Sequence, residues 1–96
     1  MKVTFIFNLI TENGSNRGHA RKVEDVPWIE SGMEICFPYS GQSFIIDSTS
    51  LMIGTKEIMA WIKNHDGTPI NNYAVVETFK SNGWEVCDIG VGQGMI

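Results

Sequence analysis

The sequence contains little from which a chemical or membrane site could be built. Only two of its 96 residues are cysteine and two are histidine, and no apolar stretch approaches the roughly 20 residues that a membrane-spanning helix needs. Cys36 and Cys87 lie far apart and lack the C-x-x-C spacing typical of zinc and dithiol sites. These absences argue against a membrane anchor and against a cysteine-based metal or redox centre.

Positive charge is also scarce. Seven Lys and Arg residues stand against eleven Asp and Glu residues, giving a net charge of −4 and a pI near 4.9. Because affinity for nucleic acids depends on clustered basic side chains, we expect no nucleic-acid binding. The hydrophobic fraction of 43% is too high for a disordered chain, so residues 1–96 are predicted to form a single folded domain.

The first ten residues are apolar with one positive charge, a combination that also occurs in secretory signals. Thr4 and Asn8 interrupt the apolar run and no small-residue cleavage site follows it, which favours a β-strand. We therefore expect a cytoplasmic protein with no membrane association. In that compartment Cys36 and Cys87 are expected to be reduced, buried thiols, whereas an exported protein could pair them in a disulfide.

Alternating apolar and polar residues predict a series of short strands. Residues 3–10 fit a central strand and 21–29 fit an edge strand that Pro27 ends. Further candidate segments, from which the remaining strands are drawn, lie at 33–37, 42–47, 51–54, 57–63 and 84–89. A flexible loop is expected at 11–19, where Asn13-Gly14 is a good turn pair, and a loose glycine-rich tail at 90–96.

One helix is predicted, over about 69–82. Thr68 suits the N-cap, Pro69 suits the first helical position, and Gly83 suits the left-handed C-terminal cap. Between them, apolar residues recur at three-residue steps: Ile70, Tyr73, Val76 and Phe79. The chain is therefore predicted to be α+β and mainly β, a small partly open barrel or rolled antiparallel sheet of four to six short strands with one helix.

Residues 23–35 carry the pattern apolar-Pro-x-apolar-x-x-Gly-x-x-apolar, in which Pro27 ends a strand and Gly32 fits a tight turn. The pattern resembles the turn between early strands in small bacterial proteins with SH3-like barrels and no assigned activity. The resemblance implies a bacterial protein with a partly open SH3-like barrel and no catalytic residues. The predicted helix departs from a plain SH3-like barrel.

No motif for catalysis, cofactor binding or metal binding is present. His65 beside Asp66 could act as an oriented general base, but Asp66-Gly67 already fits turn chemistry, and neighbours in a turn usually point apart. The histidines, cysteines and dispersed carboxylates show no ligand spacing, and there is no Gly-x-Ser-x-Gly elbow. We predict no catalytic, cofactor-binding or metal-binding residues.

Three tryptophans and two tyrosines are many for so small a domain. Such residues either fill a small core or form interfaces, where Trp and Tyr are enriched. Trp28 follows a turn proline, and Trp61 lies on the less apolar face of its strand. Trp28, Tyr39 and Trp61 are the candidate partner-binding residues.

Three functions fit these observations. The first is a non-enzymatic protein-binding or adaptor module that uses strand edges and exposed aromatic residues, with another protein or a second copy as its partner. The second is a small-ligand-binding domain or minor enzyme with a pocket between sheet and helix, using His65, Asp66 or Tyr39. The third is a mobile-element inhibitor of a host protein. None of the three requires a cofactor.

Overall fold

The computed structural model describes residues 1–10, 17–70 and 73–88. These residues contain six strands and one helix. In chain order the elements are β1 (Lys2–Ile10), β2 (Arg17–Asp25), β3 (Glu34–Cys36), β4 (Ser43–Met52), β5 (Glu57–Lys63), α1 (Tyr73–Ser81) and β6 (Glu85–Asp88).

The six strands form one mixed sheet with the order β3-β4-β5-β1-β2-β6. Neighbouring strands are antiparallel, except that β1 and β5 run parallel with Val3 opposite Ile58. It follows that β6 runs parallel to β5. Helix α1 belongs to the connection between these two strands, which crosses over β1 and β2. Strands β3 and β6 lie at the two ends of the strand order.

One face of the sheet, here called the inner face, carries the core. Val3, Phe5 and Phe7 alternate along β1 and are buried, as strand geometry requires when one face is covered. Phe79 of α1 packs edge-on against Phe7, with 5.6 Å between ring centroids. The largest part of the driving force comes from burying such side chains, each contributing about 1.5–3 kcal/mol.

The sheet is rolled around an aromatic cluster. Phe37 directly follows β3, Trp84 directly precedes β6, and their ring centroids lie 5.4 Å apart. Phe37 also contacts Phe5 of the central strand, at 5.7 Å. Because residues beside both ends of the strand order meet over the centre of the inner face, the sheet curves into a partly open roll.

The fold class expected from the sequence, α+β and mainly β with one helix, is confirmed. The sheet is mixed rather than wholly antiparallel because β1 and β5 pair in parallel. β2 starts at Arg17, so Gly18 and His19 lie in a strand and not in the expected loop, and β6 makes β2 an interior strand. The rest of that loop, 11–16, and the tail 90–96 lie outside the described residues.

Two further element boundaries differ from the predictions. Two strands were expected between residues 42 and 54, but β4 is one strand from Ser43 to Met52. A bulge at Asp47 allows the strand to continue past this residue. The described helix begins at Tyr73, and Thr68 instead closes the preceding turn by donating its N–H and hydroxyl to Asp66. Among the described residues no helix is long and apolar enough to cross a membrane. The SH3-like resemblance stays a prediction.

Candidate protein-interaction edge

The outer side of β4 is only partly paired. β3 covers Ser43 to Ile45, and the next pairings are the Gly32 N–H donating to the Ile46 carbonyl and the Ile46 N–H donating to the Met33 carbonyl, each at 2.8 Å. Beyond Ile46, no strand or loop of the described chain pairs with this side. We call residues 48–52 the free edge of β4.

The free edge is exposed on both faces of the sheet. Every side chain from residue 47 to residue 57 is exposed, whereas Phe44 and Ile46, earlier in the same strand, are buried. Leu51 is 58% exposed and Ile53 in the following turn is 77% exposed. The helix and loops that cover the first half of β4 therefore leave the second half uncovered.

A bulge sets which side chains the free edge presents. The register shifts between Ile46 and Ser48, so that Ser48 lies opposite Trp61 and Leu51 lies opposite Ile58. A bulge inverts the alternation that follows it. Leu51 thus lies on the same side of the sheet as the core residue Ile46, although nothing in the described chain buries it.

The free edge also carries no charge. Residues 48–55 contain no Asp, Glu, Lys or Arg, in a chain of which 19% is charged. Natural sheets usually protect an exposed edge with charged residues, proline or a covering segment. The edge strand β6 follows that rule with the exposed Glu85, whereas the free edge of β4 does not. An unprotected edge is a structure on which another strand can pair.

Exposed apolar side chains lie at one end of the sheet, the end at which the free edge also ends. The described large hydrophobic residues that are exposed are Met1, Val23, Trp28, Leu51, Met52 and Ile53. All belong to the end of the sheet where β1 and β5 begin and β2 and β4 end, as the pairing of Met52 with Glu57 and of Lys2 with Asp25 shows. Trp28 lies in the connection that leaves this end, where the Val26 N–H donates to the Met1 carbonyl. We call this group the apolar end.

Tyr39, the second candidate partner-binding residue, belongs to the aromatic cluster instead. Its ring stacks on Phe37 with 5.8 Å between centroids, and its hydroxyl accepts a hydrogen bond from the Trp84 indole N–H at 2.7 Å. Burial raises the pKa of Tyr39 above 10.0, the Trp84 hydrogen bond opposes this effect, and the charge of Glu24 adds to it. These contacts give Tyr39 a structural role.

Trp61, the third candidate, lies on the outer face and is half-buried. It lines an open groove of about 480 Å³ together with Asn8, Ser48 and the ion pair between Lys63 and Asp47, whose Nζ and Oδ1 are 2.6 Å apart. The structure therefore places the three candidate aromatic residues in three different surroundings. Only Trp28 belongs to the apolar end.

His65 and Asp66 do not form an acid–base pair. His65 Nε2 lies 2.8 Å from Ser43 Oγ and 3.1 Å from Glu34 Oε2, while Asp66 bonds Thr68. In a catalytic triad the nucleophile and the acid contact different ring nitrogens. Here Ser43 and Glu34 meet the same nitrogen on an exposed strand edge, so the cluster lacks that geometry. No set of three metal-binding side chains converges within the described residues.

The thiols differ from expectation in one respect. Both cysteines are free, but Cys36 is exposed and only Cys87 is partly buried, so the prediction of two buried thiols is wrong for Cys36. Cys36 lies opposite Ser43 on a three-residue strand, where no further layer covers its side chain.

Sequence reasoning missed the free edge itself, including Leu51, Met52 and Ile53. The available signal was the absence of charge between Asp47 and Lys56, which is unusual for a segment that is not buried. It was overlooked because an apolar, uncharged strand is equally typical of a core strand. No known protein family, curated protein or solved structure matches the chain.

Proposed function

We propose that this protein is a non-enzymatic protein-binding module that adds an extended segment of its partner to the free edge of β4. The observation that carries the proposal is an unpaired, uncharged strand edge that is exposed on both faces. Backbone N–H and C=O groups on such an edge supply hydrogen bonds for an added strand, as in other cases of β-strand addition.

The side chains around the edge define the kind of partner segment that fits. Leu51 on the inner side and Met52 on the outer side offer apolar contacts on both faces of an added strand. Ile53, in the turn after β4, extends this surface beyond the strand. A partner segment with alternating apolar residues and no charge at its centre would bury these side chains. Removing apolar surface from water contributes a favourable free energy of about 25 cal/mol per Å².

The test uses a displayed library of ten-residue peptides with the purified protein as bait. We expect selection of uncharged, β-forming peptides that bind the unaltered protein and fail to bind Ser50→Lys, because a lysine on the edge disfavours strand addition. Ser81→Lys is the matched control, since Ser81 is also exposed but lies at the end of α1. Its peptide binding should be unchanged.

Two results would overturn the proposal. One is the absence of any enriched peptide that binds in solution, measured by fluorescence polarisation. The other is a set of peptides that bind Ser50→Lys as well as the unaltered protein, because binding would then not use the free edge. Circular dichroism of both lysine variants confirms that they are folded before binding is compared.

The two alternative functions stay predictions. An inhibitor of a host protein would also need a protein-binding surface, and it would use the same free edge. A small-ligand domain would need an enclosed site, and the groove at Trp61 is open and is not lined by His65, Asp66 or Tyr39. A thermal-shift screen with metabolites tests that alternative, because a ligand at 100-fold excess over its Kd raises stability by about 2.7 kcal/mol.

A further inference from the structure

We infer that the partner of the free edge is the free edge of a second copy, paired antiparallel about a two-fold axis through Ser50. This inference rests on the proposed function, because it names the strand that the edge accepts. It requires that the segment pair with itself without a clash of charge or size, and the sequence of residues 48–52 meets that requirement.

In the pairing centred on Ser50, each apolar residue faces a small uncharged one. Thr49 lies opposite Leu51 of the other copy, and Ser48 lies opposite Met52. Because successive side chains of a strand point to opposite faces, Thr49 and Leu51 lie on the inner side, and Ser48, Ser50 and Met52 lie on the outer side. The two-fold axis is perpendicular to the sheet, so the inner faces of both copies remain on the same side.

Charge also favours a second copy at this particular edge. Two chains of net charge −4 repel each other, and an interface between them is best tolerated where neither carries charge. Residues 48–55 are such a place, since their nearest charges are Asp47, paired with Lys63, and Lys56. At β6, by contrast, each copy would bring a charged and exposed residue to the interface, Glu85 with its ion-pair partner Arg21.

The inferred assembly is closed at two copies. An antiparallel pairing about a two-fold axis uses the same surface on both chains, so it consumes both free edges at once. The result is one continuous sheet across the dimer, with Leu51 and Met52 of each copy on either side of its centre. Closure distinguishes this arrangement from open-ended edge aggregation.

Sedimentation velocity over a wide concentration range tests whether the dimer forms. We expect a dimer for the unaltered protein and for Ser81→Lys, and a dissociation constant raised by about tenfold or more for Ser50→Lys, since two lysines would face each other. Ser50 is fully outside the core, so circular dichroism and thermal unfolding of Ser50→Lys should match those of the unaltered protein.

Disulfide trapping tests the register. Ser50→Cys, in a Cys36→Ser, Cys87→Ser background, should crosslink two copies when oxidised glutathione is added, because directly opposed residues lie about 4.5–5.5 Å apart. Thr49→Cys is the matched control. Two copies of Thr49 lie diagonally at about 7–8 Å in this register and should not crosslink.

Each result either overturns or supports the inferred dimer, and the first also separates it from the proposed function. A chain that is monomeric at all concentrations overturns the inferred dimer, while the proposed function stands if selected peptides still bind the edge. A dimer that forms equally in Ser50→Lys and does not crosslink through Ser50→Cys shows that copies meet elsewhere, and it overturns the inference. A dimer sensitive to Ser50→Lys and trapped by Ser50→Cys supports it.

Discussion

The Trp84 indole N–H donates a hydrogen bond across 2.7 Å to the Tyr39 hydroxyl, joining the turn after β3 to the residue before β6. This bond connects the two ends of the rolled sheet through side chains rather than through strand pairing. Tyr39, which the sequence made a candidate for partner binding, thus accepts the hydrogen bond of the only polar group in the buried Trp84 side chain.

Tyr39→Phe should destabilise the protein by about 1–2 kcal/mol. The ring contacts would remain, but the Trp84 N–H would lose its acceptor, and an unsatisfied buried donor costs about that much. Urea unfolding of the variant measures the loss, which corresponds to a Tm lower by roughly 4–8 °C per kcal/mol in a domain of this size. An unchanged unfolding midpoint would mean that water replaces the hydroxyl.

Gly83→Ala should destabilise the protein by about 1–2 kcal/mol, because Gly83 ends the helix with a φ of 93° that side chains with a Cβ disfavour. An added Cβ would also lie 3.0 Å from Lys22 Nζ, which donates to the Asn82 carbonyl. Gly54→Ala is the control, since a Cβ there meets open space and the backbone is unstrained. Equal midpoints for both variants in urea unfolding would refute the argument.

Asp66→Asn should be less stable than wild type near neutral pH, and this difference in the free energy of unfolding should shrink as the pH falls. Hydrogen bonds from the Thr68 hydroxyl and backbone N–H lower the pKa of Asp66 below 3.8 in the folded protein. A lowered pKa contributes stability that is present above the unfolded value and is lost as pH falls through the folded value. The stability difference between wild type and Asp66→Asn should therefore be largest near neutral pH and vanish in strong acid. Urea unfolding from pH 7 to about pH 2 checks this, because the loss occurs below the unfolded value of about 3.9.

Trp28→Ala should leave the free energy of unfolding within about 0.5 kcal/mol of wild type, because the side chain is 52% exposed. The same change should weaken association at the apolar end by about tenfold, as loss of an interface tryptophan commonly does. Trp84→Ala provides the contrast, since this buried ring should cost about 3–5 kcal/mol. Calorimetric unfolding and sedimentation together separate the two effects. Intact association in Trp28→Ala would exclude Trp28 from the interface.

The sequence predicted the central position of β1 because both of its faces carry apolar residues, and only an interior strand buries both. It also predicted the end of the helix, because Gly83 is the residue type that a left-handed cap requires. It did not predict the start of the helix, since the hydroxyl of Thr68 suits an N-cap and a turn equally.

The sequence by itself determined the fold class, because hydrophobic alternation and turn residues act locally and specify strands and their ends. Tertiary structure alone decided which strand has a free edge and which side chains that edge presents on each face. The first depends on strand order and the second on the bulge at Asp47. An uncharged apolar strand has the same sequence pattern whether or not another strand pairs with it. Leu51 and Met52 are therefore candidates only because the structure shows that β3 does not pair with the second half of β4.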